Sequence, residues 1–239
     1  TGGTDGRFIV EGKVPLQILL TRSRFRIESV FLCETRIDPL LDLLSSAGLN
    51  VPLYSAPQSL MNEVVGFPIH RGVLACAFKG PGLPLEDMLG ARRLLLLNQI
   101  SNHDNVGAAF RNAAAFGADG VLMDAGSCDP LYRKAIRVSS GASLWLPFHH
   151  GGTGLDHVDA LKRAGFEVWA MTPRVEAAAL QTLKAPEKLA ILLGAEGPGL
   201  PDALIDAARP VRIPMATGFD SVNVATAGAI ALSHVFNRA

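Results

Sequence analysis

The chain has little cysteine: Cys33, Cys76 and Cys128 are scattered through 239 residues and odd in number. Such spacing builds neither a disulfide framework nor a CxxC metal site, and a reducing cytoplasm is the compartment expected of it. Charge of one sign is lacking too. The 22 Lys and Arg are matched by 22 Asp and Glu, so composition alone does not mark a nucleic-acid binder. Long apolar runs are absent; short ones such as residues 94–97 fall far below a membrane span. Residues 1–5 are small and polar, without the charged-then-apolar order of a signal segment. No GxGxxG follows an early strand and no Walker loop occurs, which excludes an ordinary Rossmann or P-loop nucleotide enzyme.

What is present is alternation in two blocks, separated by the Gly/Pro-punctuated stretch 79–84, which continues neither a helix nor a central strand. In the first block, apolar runs predict strands at 30–33, 51–54 and 73–78, with helices at 39–46 and 58–65. This reads as a small α/β domain. In the second block, strands are expected at 94–97, 120–123, 167–170, 189–193 and 211–213. Helices are expected at 107–116, 156–164 and 222–236. Short, bounded, wholly apolar strands with helices between them imply a parallel sheet covered on both faces. Ligands of such sheets sit at the carboxyl ends of the strands.

Three strand ends open into unusual loops. The first, 98–107, is polar and leads into a helix that carries Asn105 and Arg111. Its residues suit either helix capping or ligand contact, and a helix start favours an anion. The second, 194–201, holds three glycines and two prolines around Glu196, its one charge. Irregular glycine-rich backbone of this kind can turn its amides toward a ligand. The third, 214–223, ends in Ser221 and Asn223, either of which could cap the final helix. Three such loops in succession favour a pocket over three separate caps.

The residues Asn105-x-Gly107-x-x-x-Arg111-x-Ala113, Gly194-x-Glu196-Gly-x-Gly199-Leu200 and Ile213-Pro-Met215 with Ser221-x-Asn223-Val-Ala225 resemble the three ordered motifs of the SpoU family. That family is the ribose 2′-O-methyltransferase branch of the SPOUT class. The stretch 129–147, with Arg137-Val-Ser-Ser-Gly-Ala142, resembles the family segment between the first two motifs. Val222 stands where leucine is commoner. Residues 1–80 are similar to the L30e-like RNA substrate-binding domain some members carry, and 70–75 to its closing strand. The resemblance thus implies an L30e-like domain over 1–80, a linker over 81–90, and a methyltransferase domain over 91–239. That last domain would be a parallel sheet with a C-terminal deep trefoil knot.

The resemblance further implies a homodimer that methylates RNA with S-adenosylmethionine, ribosomal RNA being favoured and transfer RNA possible. Asn105, Arg111, Glu196, Ser221 and Asn223 match the catalytic positions. Met171, Thr172, Gly194, Glu196, Gly199, Ile213, Met215, Val222 and Asn223 match the cofactor loops. A family member that binds RNA without methylating it is the competing reading, opposed by the intact motif residues. Arg22, Arg24 and Arg26 are candidate phosphate contacts; Arg133, Lys134 and Arg137 form a second basic group. No metal is expected: His149 and His150, before a glycine run, read as a surface loop, since no acidic or cysteine partner has ligand spacing. Cys128 reads as a free thiol, and Trp145 and Trp169 as packing residues.

Overall fold

The computed structural model describes residues 6–66, 68–69 and 71–236. Residues 1–5, and His70 of the stretch similar to a closing strand, lie outside the described residues. The chain divides into two compact units. One comprises Thr1–Pro81 with Pro130–Trp145, the other Gly82–Asp129 with Leu146–Ala239.

The first unit begins with β1 (Arg7–Glu11), α1 (Lys13–Thr21) and β2 (Ile27–Cys33), then α2 (Leu41–Ser46), β3 (Leu53–Ala56), α3 (Gln58–Val65) and β4 (Val73–Phe78). Its sheet has the order β1-β4-β2-β3, with β4 antiparallel to both neighbours and β2 parallel to β3. Residues 7–29 carry β1, α1 and the start of β2, where the apolar pattern predicts no element. In β1 only Phe8, Val10 and Glu11 are buried, and the strand is held by five-residue pairing with β4. Phe8 meets Phe25 edge-on at 5.1 Å between ring centroids, an arrangement suited to the ring quadrupoles.

The second unit continues with β5 (Arg93–Leu97), α4 (His103–Ala115) and β6 (Gly120–Met123). Then α5 (Arg133–Val138) packs with the first unit, where Arg133 lies 3.2 Å from the buried Glu11 carboxylate. The chain resumes with β7 (Phe148–His150), α6 (Gly154–Arg163), β8 (Glu167–Met171), β9 (Ala178–Ala179) and β10 (Leu189–Leu193), and ends with α7 (Asp202–Asp206), β11 (Arg209–Arg212) and α8 (Val224–Phe236).

The seven strands of the second unit run in the order β7-β6-β5-β10-β8-β11-β9, and every pairing is parallel. Central β10 and β5 are paired Leu189–Leu193 against Arg93–Leu97 without a slip. All of β10 and residues 94–97 of β5 are buried. Each leucine so buried contributes about 2 kcal/mol of transfer free energy, which makes these strands the fixed frame of the unit. Two-sided burial is why they read as unbroken apolar runs. No helix among the described residues is long and apolar enough to cross a membrane.

Two expectations are corrected. Helix α4 starts at His103 rather than 107, because the Asn102 side chain accepts from the Asp104 backbone N–H and caps it there. Asn105 therefore lies in the first turn, but Gly107 is inside the helix and Arg111 is in its third turn, beyond the reach of the N-terminal partial charge. His149 and His150 belong to edge strand β7 rather than a loop. His149 Nδ1 donates to the Leu83 carbonyl at 2.7 Å and His150 Nε2 to the Ser127 carbonyl at 2.9 Å. Trp169 is buried in β8.

Candidate active site

Where β8, β10 and β11 end, three loops enclose a cavity of about 610 Å³. The first is Thr172, Pro173 and Arg174, directly after Met171, the last residue of β8. The second follows β10 and folds back on itself. Ala195 and Gly199 form a bridge, and the Gly199 N–H donates to the Ala195 carbonyl at 3.1 Å. Gly194 has no room for a side chain, since a Cβ there would lie 2.6 Å from Gly199 C and Leu200 N. Gly197 and Gly199 have φ of 83° and 72°, a region that disfavours other residues. The glycines thus shape a tight hairpin whose backbone lines one wall. The third loop leads from β11 to α8 and brings Ile213, Met215 and residues 220–224 to the same cavity.

The loops are tied together by one side chain. Asn223 Oδ1 accepts from the backbone N–H groups of Ala225 at 2.9 Å and Thr226 at 3.2 Å, so it caps α8. That orientation leaves its Nδ2 to donate, and it does so twice: to Asn105 Oδ1 at 3.0 Å and to Glu196 Oε1 at 2.9 Å. Capping and site assembly are therefore two uses of the same residue. Because Asn105 Oδ1 is the acceptor, its Nδ2 is fixed as a donor. That atom is buried and has no hydrogen-bond partner among the described residues. An unsatisfied buried donor costs about 1–3 kcal/mol, a deficit that a bound acceptor would remove.

Every residue matched to the cofactor loops lines this cavity: Met171, Thr172, Gly194, Glu196, Gly199, Ile213, Met215, Val222 and Asn223. Of the residues matched to catalysis, Glu196, Ser221 and Asn223 line it, and Asn105 is bonded to it through Asn223. Arg111 is not brought to the cavity; it is exposed on α4. The neighbouring Asn112 instead joins α4 to α8, donating to the Ala225 carbonyl at 2.9 Å. The reading from sequence missed Arg174, Asp202 and Asp220 on the wall. Arg174 lies two residues beyond Thr172, so following that strand end further would have found it.

The three N-terminal arginines separate. Arg24 and Arg26 line a second cavity of about 520 Å³, within the first unit, with Phe25, Phe78 and Lys79. The Arg26 guanidinium lies 3.9 Å from the Phe78 ring centroid, and burial lowers the pKa of Arg24 below its ordinary value. Arg22 is elsewhere, 4.0 Å over the Trp145 ring.

The active-site cavity is large enough for a nucleoside-sized ligand. Its wall combines apolar residues such as Met171, Ile213, Met215 and Val222 with Glu196, Asp202, Asp220 and Arg174. The excess of carboxylates suits a ligand that carries positive charge. An uncharacterized tRNA/rRNA methyltransferase of Mycobacterium tuberculosis is 41% identical over 228 residues, covering 93% of this chain and 78% of the relative. The 23S rRNA (guanosine-2′-O-)-methyltransferase RlmB of Escherichia coli is 27% identical over 236 residues, 94% of this chain and 96% of its own. The fold is also that of the SpoU methyltransferase AviRb from Streptomyces viridochromogenes, crystallised with AdoMet. That match has a TM-score of 0.80 at 21% identity, over 98% of this chain and 90% of the other. The model of the SpoU rRNA methylase family matches residues 92–233, the stretch holding all three loops, and the chain belongs to that family.

Proposed function

We propose that the chain transfers the methyl group of S-adenosylmethionine to a ribose 2′-hydroxyl of a structured RNA, ribosomal RNA before transfer RNA. The observation that carries this is the meeting of Asn105, Glu196 and Asn223 at one carboxamide, on the wall of a cavity lined by all the residues matched to the cofactor loops. The names of the relatives, RlmB of Escherichia coli among them, support ribosomal RNA as the first choice.

When bound, S-adenosylmethionine supplies a methyl group already activated on a sulfonium. The backbone of 194–199 and the side chains of Ile213, Met215 and Val222 would hold it, with Glu196 and Asp220 complementing its positive charge. What remains for the protein is the hydroxyl, a poor nucleophile that has to be oriented, kept from water and relieved of its proton. Arg111 is the residue assigned to orientation. A guanidinium stays protonated in proteins and forks onto phosphate. It would therefore clamp the phosphate beside the target ribose. A phosphate oxygen would receive the hydroxyl proton as the ribose oxygen bonds to carbon and the carbon–sulfur bond of the donor breaks, leaving S-adenosylhomocysteine as the second product.

Because Arg111 is exposed on α4 and does not line its own chain's cavity, the reading extends to a homodimer in which Arg111 serves the site of the second copy. Two finer features belong to the same reading. The knot is supported by the path of the chain, which crosses from β10 past β8 to β11 and returns as α8 to pack on α4 and β10. The L30e-like, RNA-binding role of the first unit is supported by its basic cavity.

The test is tritium transfer from labelled S-adenosylmethionine to total RNA lacking ribose methylation, followed by size fractionation and alkaline hydrolysis. Label in an alkali-resistant dinucleotide from a ribosomal RNA is the expected outcome. Label in transfer RNA would overturn the substrate choice alone. Alkali-labile label would overturn ribose methylation, and no binding of S-adenosylhomocysteine would overturn the cofactor.

A further inference from the structure

Among the described residues, the charges lining the active-site cavity are unequal in number: three carboxylates, Glu196, Asp202 and Asp220, and one guanidinium, Arg174. Arg174 directly follows Pro173 in the loop after β8, and its backbone N–H points to Thr172 Oγ1 at 3.4 Å, which fixes the loop where the guanidinium departs. Its Nη2 contacts Asp202 Oδ1, at the first residue of α7. Arg174 therefore reaches from one wall of the cavity to another. The contact is open to water, the two side chains being 41% and 82% exposed. An ion pair in that setting contributes little to stability and exchanges readily. The mutual pairing of Arg174 and Asp202 is thus no sufficient account of why a cation stands on an otherwise acidic wall.

A methyl donor of the proposed kind carries two positive groups, the sulfonium and the α-ammonium, and one negative group, the α-carboxylate. Three wall carboxylates suit the first two. Among the described residues that line the cavity, Arg174 is the cation available for the third. Resting on the cofactor reading above, we infer that Arg174 recognises the α-carboxylate of the methionyl part of the donor, exchanging part of its contact with Asp202 for a charge-assisted pair with the ligand. A guanidinium has five donors in a fork that fits a carboxylate bidentately. It can take the new partner without releasing Asp202 entirely. Asp202 then acts as a competitor that holds Arg174 in position when the cavity is free.

The experiment compares two probes on the intact chain by calorimetry, S-adenosylhomocysteine and its decarboxylated analogue, which keeps the amine and lacks the carboxylate. The wild type is expected to bind S-adenosylhomocysteine at least about tenfold more tightly, the scale of one hydrogen-bonded charge pair. Arg174→Met should remove that preference while leaving the analogue's affinity unchanged, which also shows that the cavity is intact. Arg174→Lys should restore part of it, and Asp202→Asn should strengthen S-adenosylhomocysteine. If Arg174→Met keeps the preference, or weakens both probes equally, Arg174 does not read the carboxylate and the inference fails with the cofactor reading untouched. If the variant loses affinity for RNA and not for S-adenosylhomocysteine, the arginine serves the substrate and the inference likewise fails. A wild type that binds neither probe would overturn the cofactor reading, and this inference with it.

Discussion

Asn223 Nδ2 donates to Asn105 Oδ1 across 3.0 Å, joining residues 118 apart in the chain. The same nitrogen holds Glu196, and the oxygen on the other side of the carboxamide caps α8. Two substitutions separate these uses. Asn223→Asp keeps an oxygen for the cap, as aspartate is a comparably good N-cap. It loses both donations, however, and sets a second carboxylate against Glu196. Asn223→Ala loses the cap as well, worth about 1 kcal/mol, or about 2–4 °C in Tm for a chain of this size. Thermal melts and S-adenosylhomocysteine titration should therefore show both variants defective in binding by at least about tenfold. The alanine variant alone should show the additional melting loss from the cap. An aspartate variant that binds like the wild type would remove the carboxamide bridge from the account of the site.

Arg111 projects from α4, exposed, and is absent from the cavity wall of its own chain. If it clamps a phosphate with both arms of its fork, Arg111→Lys should leave S-adenosylhomocysteine affinity unchanged and lower kcat by at least about tenfold. Near-normal turnover would rule out the bidentate clamp. A mixing experiment decides whose site it serves. Arg111→Ala and Asn223→Asp chains, each inactive alone, are unfolded and refolded together. In a shared-site dimer both lesions fall in one of the two sites of each mixed dimer and the other is complete. About a quarter of wild-type activity should then return by statistical pairing. If Arg111 acts within its own chain, every site carries a lesion and none returns.

The legibility of the sequence followed burial. Val73–Phe78, Gly120–Met123 and Leu189–Leu193 run between the residues where their apolar stretches begin and end, because strands buried on both faces leave no polar interruption to misread. β1 and β7 were not legible for the opposite reason. They are edge strands with few buried side chains, Phe148 alone in β7, and local sequence does not report which neighbour supplies their hydrogen bonds. The start of α4 was not legible because the polar run 98–105 holds several side chains able to cap a helix. Only the fold shows that Asn102 caps, while Asn105 turns inward to meet Asn223. The cavity wall was largely legible because it lies at strand ends, where the glycines of 194–199 are conspicuous. Arg174 was not, since its part depends on Asp202 and on the two other wall carboxylates, Glu196 and Asp220, which other segments of the chain bring to the same cavity.

Arg24 and Arg26 share a cavity with Lys79, whereas Arg22 lies over Trp145. If this cavity meets RNA phosphate, Arg24→Ala with Arg26→Ala should weaken RNA binding and flatten its salt dependence. The slope of log affinity against log salt should fall by about one for each phosphate that is no longer neutralised. Arg22→Ala should leave that slope unchanged and act on stability instead, because the guanidinium no longer stacks on the Trp145 face. Filter binding of ribosomal RNA fragments from low to high salt reads the slopes, and a thermal melt reads the stability. Equal slopes for the double variant and the wild type would move the phosphate contacts to other residues.

His157 in α6 is buried. Burial lowers its pKa from the ordinary 6.5, and the neighbouring His149, whose ring is 5.3 Å away, lowers it further; Asp124, the Gly151 backbone and Asp156 act in the opposite direction without reversing the shift. The sign of the consequence follows from proton counting. Below the unfolded value the unfolded chain binds a proton that the folded chain refuses, so the stability held above that value is lost as pH falls toward the lowered folded value. The melting temperature should therefore decline as pH goes from about 7 to about 5, the range in which an unfolded histidine titrates. Other groups titrate there too, so the decisive comparison is with His157→Phe, which has no proton to bind in either state. Its melting curve should decline less over the same range. Parallel declines would show that His157 is not the group whose protonation opposes the fold.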